Sequence, residues 1–448
     1  MARGLLGFFA TGPDLPEMVD RSLIDTLYRR YRLRVMIAIT AGYGLIYICR
    51  LALGVVKKPL IDQGVFTPSE LGLIGSALFW TYAIGKLTNG FFADHADIRK
   101  FMTASFLLSG LCCMLMGTVN LVWFAAFVWG LNGWFQSFGA PSGVVAMTSW
   151  FSNRERGRMY GIWSTAHSIG EGATFLIVGA VVTWMGWRAG FWVPGLIGVA
   201  VACFAWILLR DRPQTMGLPA VADWRNDHYT GPVRVEQSTV LKIQLSILKL
   251  PAIWILALSS ALIYVTRYAI NSWGVLYLQE ARGLSLPTAA SLLFVSTLAG
   301  IGGAIAYGFL SDKLFATRRP PANLLFALLE LIGLLLFFFG PTSLPMMYLA
   351  MILFGLGMTG LVTSLGGLFA VDVAPKRAAG AVMGVIGVFS YIGAALQENV
   401  SGAMIEAHMT TVGDDKIYDF GPVIWVWIGA SVLSMLLAAS LWRTRLRD

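Results

Sequence analysis

Charge is scarce in this chain. Only 13% of its 448 residues are charged and 57% are hydrophobic, whereas soluble domains carry about 25% charged residues. A water-soluble globule is excluded. Histidine is scarce too. The four present (His95, His167, His228, His408) are scattered, with no HExxH pair, and no P-loop, GxSxG or CxxC motif appears. No catalytic constellation exists, so the chain reads as a non-enzyme with no cofactor and no metal. Without an ATP site, any pumping must be driven by a gradient. Four cysteines (Cys49, Cys112, Cys113, Cys203) fall in apolar runs without ligand or disulfide spacing and read as packing residues. The alternating strands of an outer-membrane barrel are missing. Nor does the N-terminal segment read as a cleaved signal peptide: the first long apolar run starts near residue 35, behind a basic stretch.

What is abundant is apolar runs of about 20 residues, each long enough to cross a bilayer. Twelve are predicted, at about 35–56, 71–92, 101–119, 121–147, 158–184 and 189–209, then 252–278, 288–310, 322–340, 345–370, 379–405 and 421–442. The expected fold is therefore an all-α membrane protein of twelve transmembrane helices in two pseudo-symmetric six-helix halves. The net charge of +9 is not a nucleic-acid footprint, because it sorts by loop. Of 33 Lys and Arg, 25 fall on the side of the termini, including Arg29, Arg30, Arg32, Arg34, Arg154, Arg156, Arg158, Lys376 and Arg377. Five fall on the other side (Lys57, Lys58, Arg188, Arg282, Lys416) and three within spans (Arg50, Lys86, Arg267). The positive-inside rule then places both termini in the cytoplasm.

A polar, basic segment at about 210–251, with Pro213, Pro219, Gly231 and Pro232, separates the two sets of six. The organisation is thus a segment 1–34, a half at 35–209, the central loop 210–251, a half at 252–442 and a tail 443–448. The halves echo each other. Arg50 and Arg267 are 217 residues apart; Gly90-x3-Asp94 recurs 218 later as Gly308-x3-Asp312; Gly157, Gly161 and Gly170 recur 223 later as Gly380, Gly384 and Gly393. Tandem duplication of parallel halves puts a binding site at the midplane between them.

Arg50 and Arg267 carry the most information. A charge at the bilayer centre costs about 2.5–3.5 kcal/mol on insertion scales, and a guanidinium fork grips phosphate or carboxylate bidentately. An anion held between the halves is the functional reading. A buried structural ion pair is the alternative, since three acids (Glu171, Glu330, Glu398) lie within spans. Glu171 and Glu398 are either counter-ions to the arginines or proton carriers. Tyr43 and Tyr47 share a helical face with Arg50, and Tyr264 precedes Arg267 by three. Their phenols either bind substrate oxygens or pack. Lys86, with Tyr82 one turn earlier, either lines the pathway or snorkels to the interface. His167 lies mid-span with Glu171 four residues on, placed to donate to an anion or to switch charge.

Several stretches resemble one family. GFFADHADIRK (Gly90 to Lys100) resembles the G-x-x-x-D-R-x-x-x-R-R signature of the major facilitator superfamily, with His95 in place of an Arg. IDTLYRRYRLRV, GWFQSFGAPSGVVAMTSWFSNRERG, STAHSIG, DRPQTMGLP, RYAINSWGVLYLQE and VAPKRAAG resemble segments of its organophosphate:phosphate antiporters across essentially the whole chain. The resemblance implies the major facilitator fold, and that Arg50 and Arg267 grip a phosphoryl group. It also implies that Lys86, His167, Tyr43, Tyr47, Tyr82, Tyr264 and Tyr391 line the pathway. Gly90, Asp94, Arg99, Gly308 and Asp312 would form cytoplasmic latches, with Asp94 pairing Arg99. The chain departs from the family at Leu51, Ser164 and Gly360, where relatives have Lys, Asn and Tyr.

The expected function is exchange of a phosphorylated metabolite, a sugar phosphate or glycerol 3-phosphate, for inorganic phosphate across a bacterial inner membrane. The alternative is a hexose-phosphate sensor that signals to a membrane histidine kinase. LPAVADW (Leu218 to Trp224) and the LLGFF leader resemble that branch.

Overall fold

In hydrocarbon every backbone N–H and C=O must be satisfied within its own segment, so apolar runs become helices. The structure is a computed structural model that describes residues 5–227, 246–315, 318–373, 378–413 and 415–442. His228, Gly231, Pro232, Lys376, Arg377 and the 443–448 tail lie outside the described residues. Span 1 is Arg21–Ile46 continued by Ile48–Asp62; span 2 is Pro68–His95; span 3, Ile98–Met116. Span 4 is Val122–Gln136 plus Gly139–Trp150; span 5, Asn153–Met185; span 6, Ala189–Leu208. In the second half, span 7 is Pro251–Glu280, span 8 Leu286–Lys313 and span 9 Arg319–Phe339. Span 10 is Leu344–Thr363, extended by a π-helical turn at Ser364–Leu368 and by Phe369–Val373; span 11 is Ala379–Ala407 and span 12 Gly421–Ser440. A hairpin, β1 Met409–Val412 with β2 Asp415–Tyr418, joins spans 11 and 12.

Ten of these helices are long and apolar enough to cross a membrane by length and composition. Spans 2 and 4 fall short for evident reasons. The first carries Lys86, Asn89 and Asp94 within its length, and the second breaks at Ser137–Phe138. Helices also outrun their apolar stretches. Span 1 begins at Arg21, where Asp20 caps it by accepting from the Ser22 and Leu23 amides. It runs to Asp62 rather than ending near residue 56, which corrects the placement of Lys57. Expected in an outer loop, Lys57 is helical and 0% exposed.

Duplication is visible in the packing. A Cβ on Gly170 (span 5) would overlap the carbonyl oxygen of Gly44 (span 1), and one on Gly393 (span 11) would overlap that of Ala261 (span 7). Gly44 and Ala261 are themselves 217 positions apart. The echoed glycines thus set the same close crossing in each half. Gly157, Gly161, Gly380 and Gly384 instead face open space. Gly170→Ala is therefore expected to lose about 1–3 kcal/mol or more, the usual cost of overpacking. Gly161→Ala should stay within about 0.5 kcal/mol. Melting curves in detergent test both.

The halves meet where equivalent positions touch: a Cβ on Gly54 of span 1 would lie 2.8 Å from the carbonyl oxygen of Asn271 in span 7, again 217 residues on. At the end far from the termini the seam is sealed by polar ties. Lys57 pairs with Glu398 at 2.9 Å, Lys58 pairs with Glu280, the Ser69 amide donates to Glu406 at 2.8 Å, and Lys416 donates to the Ile61 carbonyl. Among the described residues no ion pair or hydrogen bond crosses between the halves at the termini end. There, a cavity of about 860 Å³ separates spans 4 and 5 from spans 8, 10 and 11.

Candidate functional site

Span 1 is not one continuous helix, and its break aims Arg50. At Tyr47 the ladder tightens: the Tyr47 amide donates to Gly44 O at 3.2 Å and the Arg50 amide to Tyr47 O at 2.9 Å. These are i→i+3 bonds of the 3₁₀ kind. The Cys49 carbonyl also accepts from Asn132 Nδ2 at 3.0 Å, which ties the kink to span 4. Arg50 is 3% exposed and lies in a box of rings: Tyr82 at 4.2 Å, Tyr47 and Tyr391 at 5.2 Å, Phe79 at 5.9 Å. Such faces stabilise a cation. They leave part of its N–H fork unsatisfied: Nε and Nη2 of Arg50 have no hydrogen-bond partner among the described residues. Leaving a buried donor of a charged group unpaired costs more than about 1–3 kcal/mol.

Arg267 is treated differently. Its Nη2 lies 2.5 Å from Glu171 Oε2, and Glu171 Oε1 accepts from Asn271 Nδ2 at 2.7 Å. The rings of Tyr264 and Tyr268 lie 5.7 Å from its guanidinium carbon. Of the two acids that stood as counter-ions, Glu171 faces an arginine and Glu398 pairs with Lys57. The arginines share one aromatic cluster. Tyr391 packs on Tyr82 at 4.5 Å and Tyr264 at 5.5 Å, and Phe79 packs on Tyr268 at 4.4 Å. Spans 1, 2, 7 and 11 all contribute.

The remaining expected residues scatter around this cluster. His167 lines the large cavity; its Nε2 is 3.3 Å from Ser168 Oγ and its ring 6.1 Å from that of Tyr47. Tyr43 reaches Tyr47 at 5.5 Å and stacks on Trp163 at 5.1 Å, two turns from Arg50 rather than against it. Lys86 points toward span 11: its Nζ lies 5.0 Å from the Tyr391 ring and would be 2.7 Å from a Cβ on Gly387. Neither arginine lines the large cavity itself. Ser168 and Thr359 line both that cavity and a small cleft beside Arg267 and Glu171.

Of the latch residues, a Cβ on Gly90 or Gly308 would meet nothing within 4 Å among the described residues. The expected Asp94–Arg99 pair is absent among the described residues. Arg99 Nε donates to Trp206 O at 2.7 Å and stacks on that indole at 4.1 Å, while the Asp94 carbonyl accepts from Arg212 at 2.6 Å. With a tryptophan carbonyl and ring beside it, Arg99 has a partner on span 6 and does not turn back toward span 2. Asp312 is ion-paired in the second half: Arg319 bridges it at 3.0 Å to Asp372 at 2.6 Å.

Sequence reasoning missed Lys57, Tyr268, Asn271 and Ser272. Lys57 Nζ donates to Ser272 Oγ at 2.7 Å and sits 3.3 Å from the centre of the Trp273 ring. A basic pair followed by Pro59 looks like the end of a span, which hid it. Tyr268 had a signal: it follows Tyr264 by four, the spacing of one helical face.

A family model, the Major Facilitator Superfamily, matches residues 23–397. The membrane sensor protein UhpC of Escherichia coli (strain K12) is 35% identical over 398 residues, 88% of this chain and 90% of that one. The glycerol-3-phosphate transporter of Bacillus subtilis (strain 168) is 31% identical over 451 residues, 98% of each. A bacterial homologue of the human lysosomal transporter Spinster, inward-facing and unoccupied, superposes with a TM-score of 0.74 over 93% of this chain and 99% of its own, at 18% identity. The chain is a multi-pass membrane protein of the major facilitator superfamily, within the organophosphate:phosphate antiporter family.

Proposed function

We propose that the chain exchanges a phosphorylated metabolite, a sugar phosphate or glycerol 3-phosphate, for inorganic phosphate by alternating access in a bacterial inner membrane, both termini cytoplasmic. The single observation behind this is Arg50. A buried guanidinium with two nitrogens unpartnered among the described residues, boxed by phenols and sharing one aromatic cluster with a second arginine, is built to receive an anion. Phosphoryl oxygens satisfy those donors bidentately. The sealed far end and the cavity at the termini end correspond to one state of a rocking cycle; the other state requires the Lys57–Glu398 and Lys58–Glu280 ties to part. An anion bridging Arg50 and Arg267 draws the halves together and lowers the barrier to rocking. A bare pair of positive charges resists closure, so exchange is favoured over leak. The cavity wall offers Ser164, Thr165, Thr359 and Thr363 hydroxyls among apolar side chains, which suits a polyol.

Proteoliposomes loaded with inorganic phosphate and challenged with sugar phosphates and glycerol 3-phosphate test this. Saturable counterflow is expected from the wild type. Arg267→Lys should reduce it by about tenfold or more, since a point charge replaces a fork. Phosphate binding by the purified protein without any counterflow would favour the sensor reading, which its likeness to UhpC keeps in view.

A further inference from the structure

We propose that Asn132 is a positioning residue of the anion site: it holds the Cys49 carbonyl and so sets the direction in which Arg50 presents its guanidinium fork. This rests on the phosphate-binding reading above. The two arginines differ in what aims them. Arg267 stands on one unbroken helix, and Glu171 holds its Nη2 at 2.5 Å. Arg50 stands three residues past the break at Tyr47, and its Nε and Nη2 have no hydrogen-bond partner among the described residues. Ring faces attract its charge without making a directional bond to those nitrogens. The aim of the fork therefore comes from the backbone that carries it.

Cys49, the residue before Arg50, is gripped from two sides. Its thiol donates to the Pro194 carbonyl on span 6 at 3.1 Å, and its carbonyl accepts from Asn132 Nδ2 on span 4 at 3.0 Å. The second half echoes the first of these contacts. Thr266, 217 residues on from Cys49, donates its hydroxyl to the Trp427 carbonyl on span 12 at 3.3 Å. It has no counterpart of the second contact, because span 10, fourth in its half as span 4 is in the other, contains no asparagine or glutamine between Leu344 and Val373. The carbonyl tie is confined to the half whose arginine has no ion pair among the described residues.

Asn132 is 0% exposed, and its own orientation is fixed. Its Oδ1 accepts from Ser109 Oγ on span 3 at 2.6 Å and from Gln136 Nε2, one turn on, at 3.2 Å. Turning the amide over would set its oxygen against the Cys49 carbonyl, acceptor against acceptor. The bond to Cys49 matters because the break in span 1 is an overwound turn. The amides of Tyr47 and Arg50 reach three residues back, to Gly44 and Tyr47, and such a turn advances about 120° per residue against about 100° in an α-helix. Relaxation toward α-geometry would rotate Arg50 about the axis of span 1, away from the rings of Tyr82 and Tyr391 that face it. Asn132 opposes that relaxation from outside the helix.

Phosphate exchange by the full-length protein in proteoliposomes, measured over a range of phosphate concentrations, tests this alongside melting curves of the same preparations. Asn132→Leu removes the donor and keeps the volume. Its KM for phosphate should rise about tenfold or more, because a misaimed fork binds poorly, while the maximal rate falls less. Ser105→Ala is the control. Ser105 Oγ donates to the Phe135 carbonyl at 2.7 Å, a buried tie between spans 3 and 4 that does not touch Cys49. Its loss should lower the melting temperature and leave the KM unchanged. If Asn132→Leu does not fold, Asn132→Ala, which only removes atoms, is read in its place. A wild-type KM in the Asn132 variant overturns the proposal and leaves the binding reading intact. An equal rise in KM for both variants also overturns it, since the effect is then one of packing. Absence of phosphate exchange by the wild type defeats the binding reading itself, and the proposal with it.

Discussion

Arg50→Lys abolishes phosphate exchange: the expected fall is at least about a hundredfold, or about 2.7 kcal/mol, with the melting temperature of the protein little changed. Both halves of that expectation come from the surroundings of Arg50. Its charge is held by the faces of Tyr82, Tyr47, Tyr391 and Phe79, which accept an ammonium as readily as a guanidinium, so a lysine is tolerated in the fold. What lysine lacks is the planar fork. Nε and Nη2 are the two donors with no partner among the described residues, and one ammonium cannot reproduce their geometry. The Arg267→Lys loss should be smaller because Arg267 already divides its donors between Glu171 and any guest. Normal exchange by Arg50→Lys in phosphate-loaded proteoliposomes, at wild-type protein levels, would remove this residue from the binding site.

The sequence exposed the arginines because they break a simple rule, charge inside an apolar run. It exposed the duplication because several features kept nearly one offset, and the structure explains why only some echoes matter. Gly170 and Gly393 sit at equivalent helix crossings, whereas a Cβ on Gly161 or Gly384 would meet no other atom within 4 Å among the described residues. What stayed hidden depends on distance across the seam. The partners of Glu171 and Glu398 lie on other helices, at separations of 96 and 341 residues, and no local pattern announces them. Lys57 was hidden by its position: apolar periodicity fades near residue 56, yet the helix continues because the far end is packed against the second half rather than against water. Arg99 was hidden by chemistry, since Trp206 supplies both a carbonyl and a ring where an acid was expected.

Lys57 and Glu398 carry the second large effect, on stability. Both side chains are essentially inaccessible, at 0% and 1% exposure, and they join span 1 to span 11 across the boundary between halves. The ammonium is further held by Ser272 Oγ and by the face of Trp273. Removing one member strands a charge in a place without water. Lys57→Met and Glu398→Leu should each cost about 3–5 kcal/mol for that reason. The double variant should recover most of it, because two apolar side chains then fill the same space with no charge to bury. The coupling between the two positions, read from melting curves of the four proteins, separates a true pair from two independent losses. Recovery of folding does not imply recovery of transport: with the tie gone, the far end loses one of the contacts that hold it shut, and exchange should fall in the double variant despite restored stability. A Lys57→Met protein as stable as the wild type would mean that Glu398 finds another partner or a proton, and the pair would then have no claim on far-end closure.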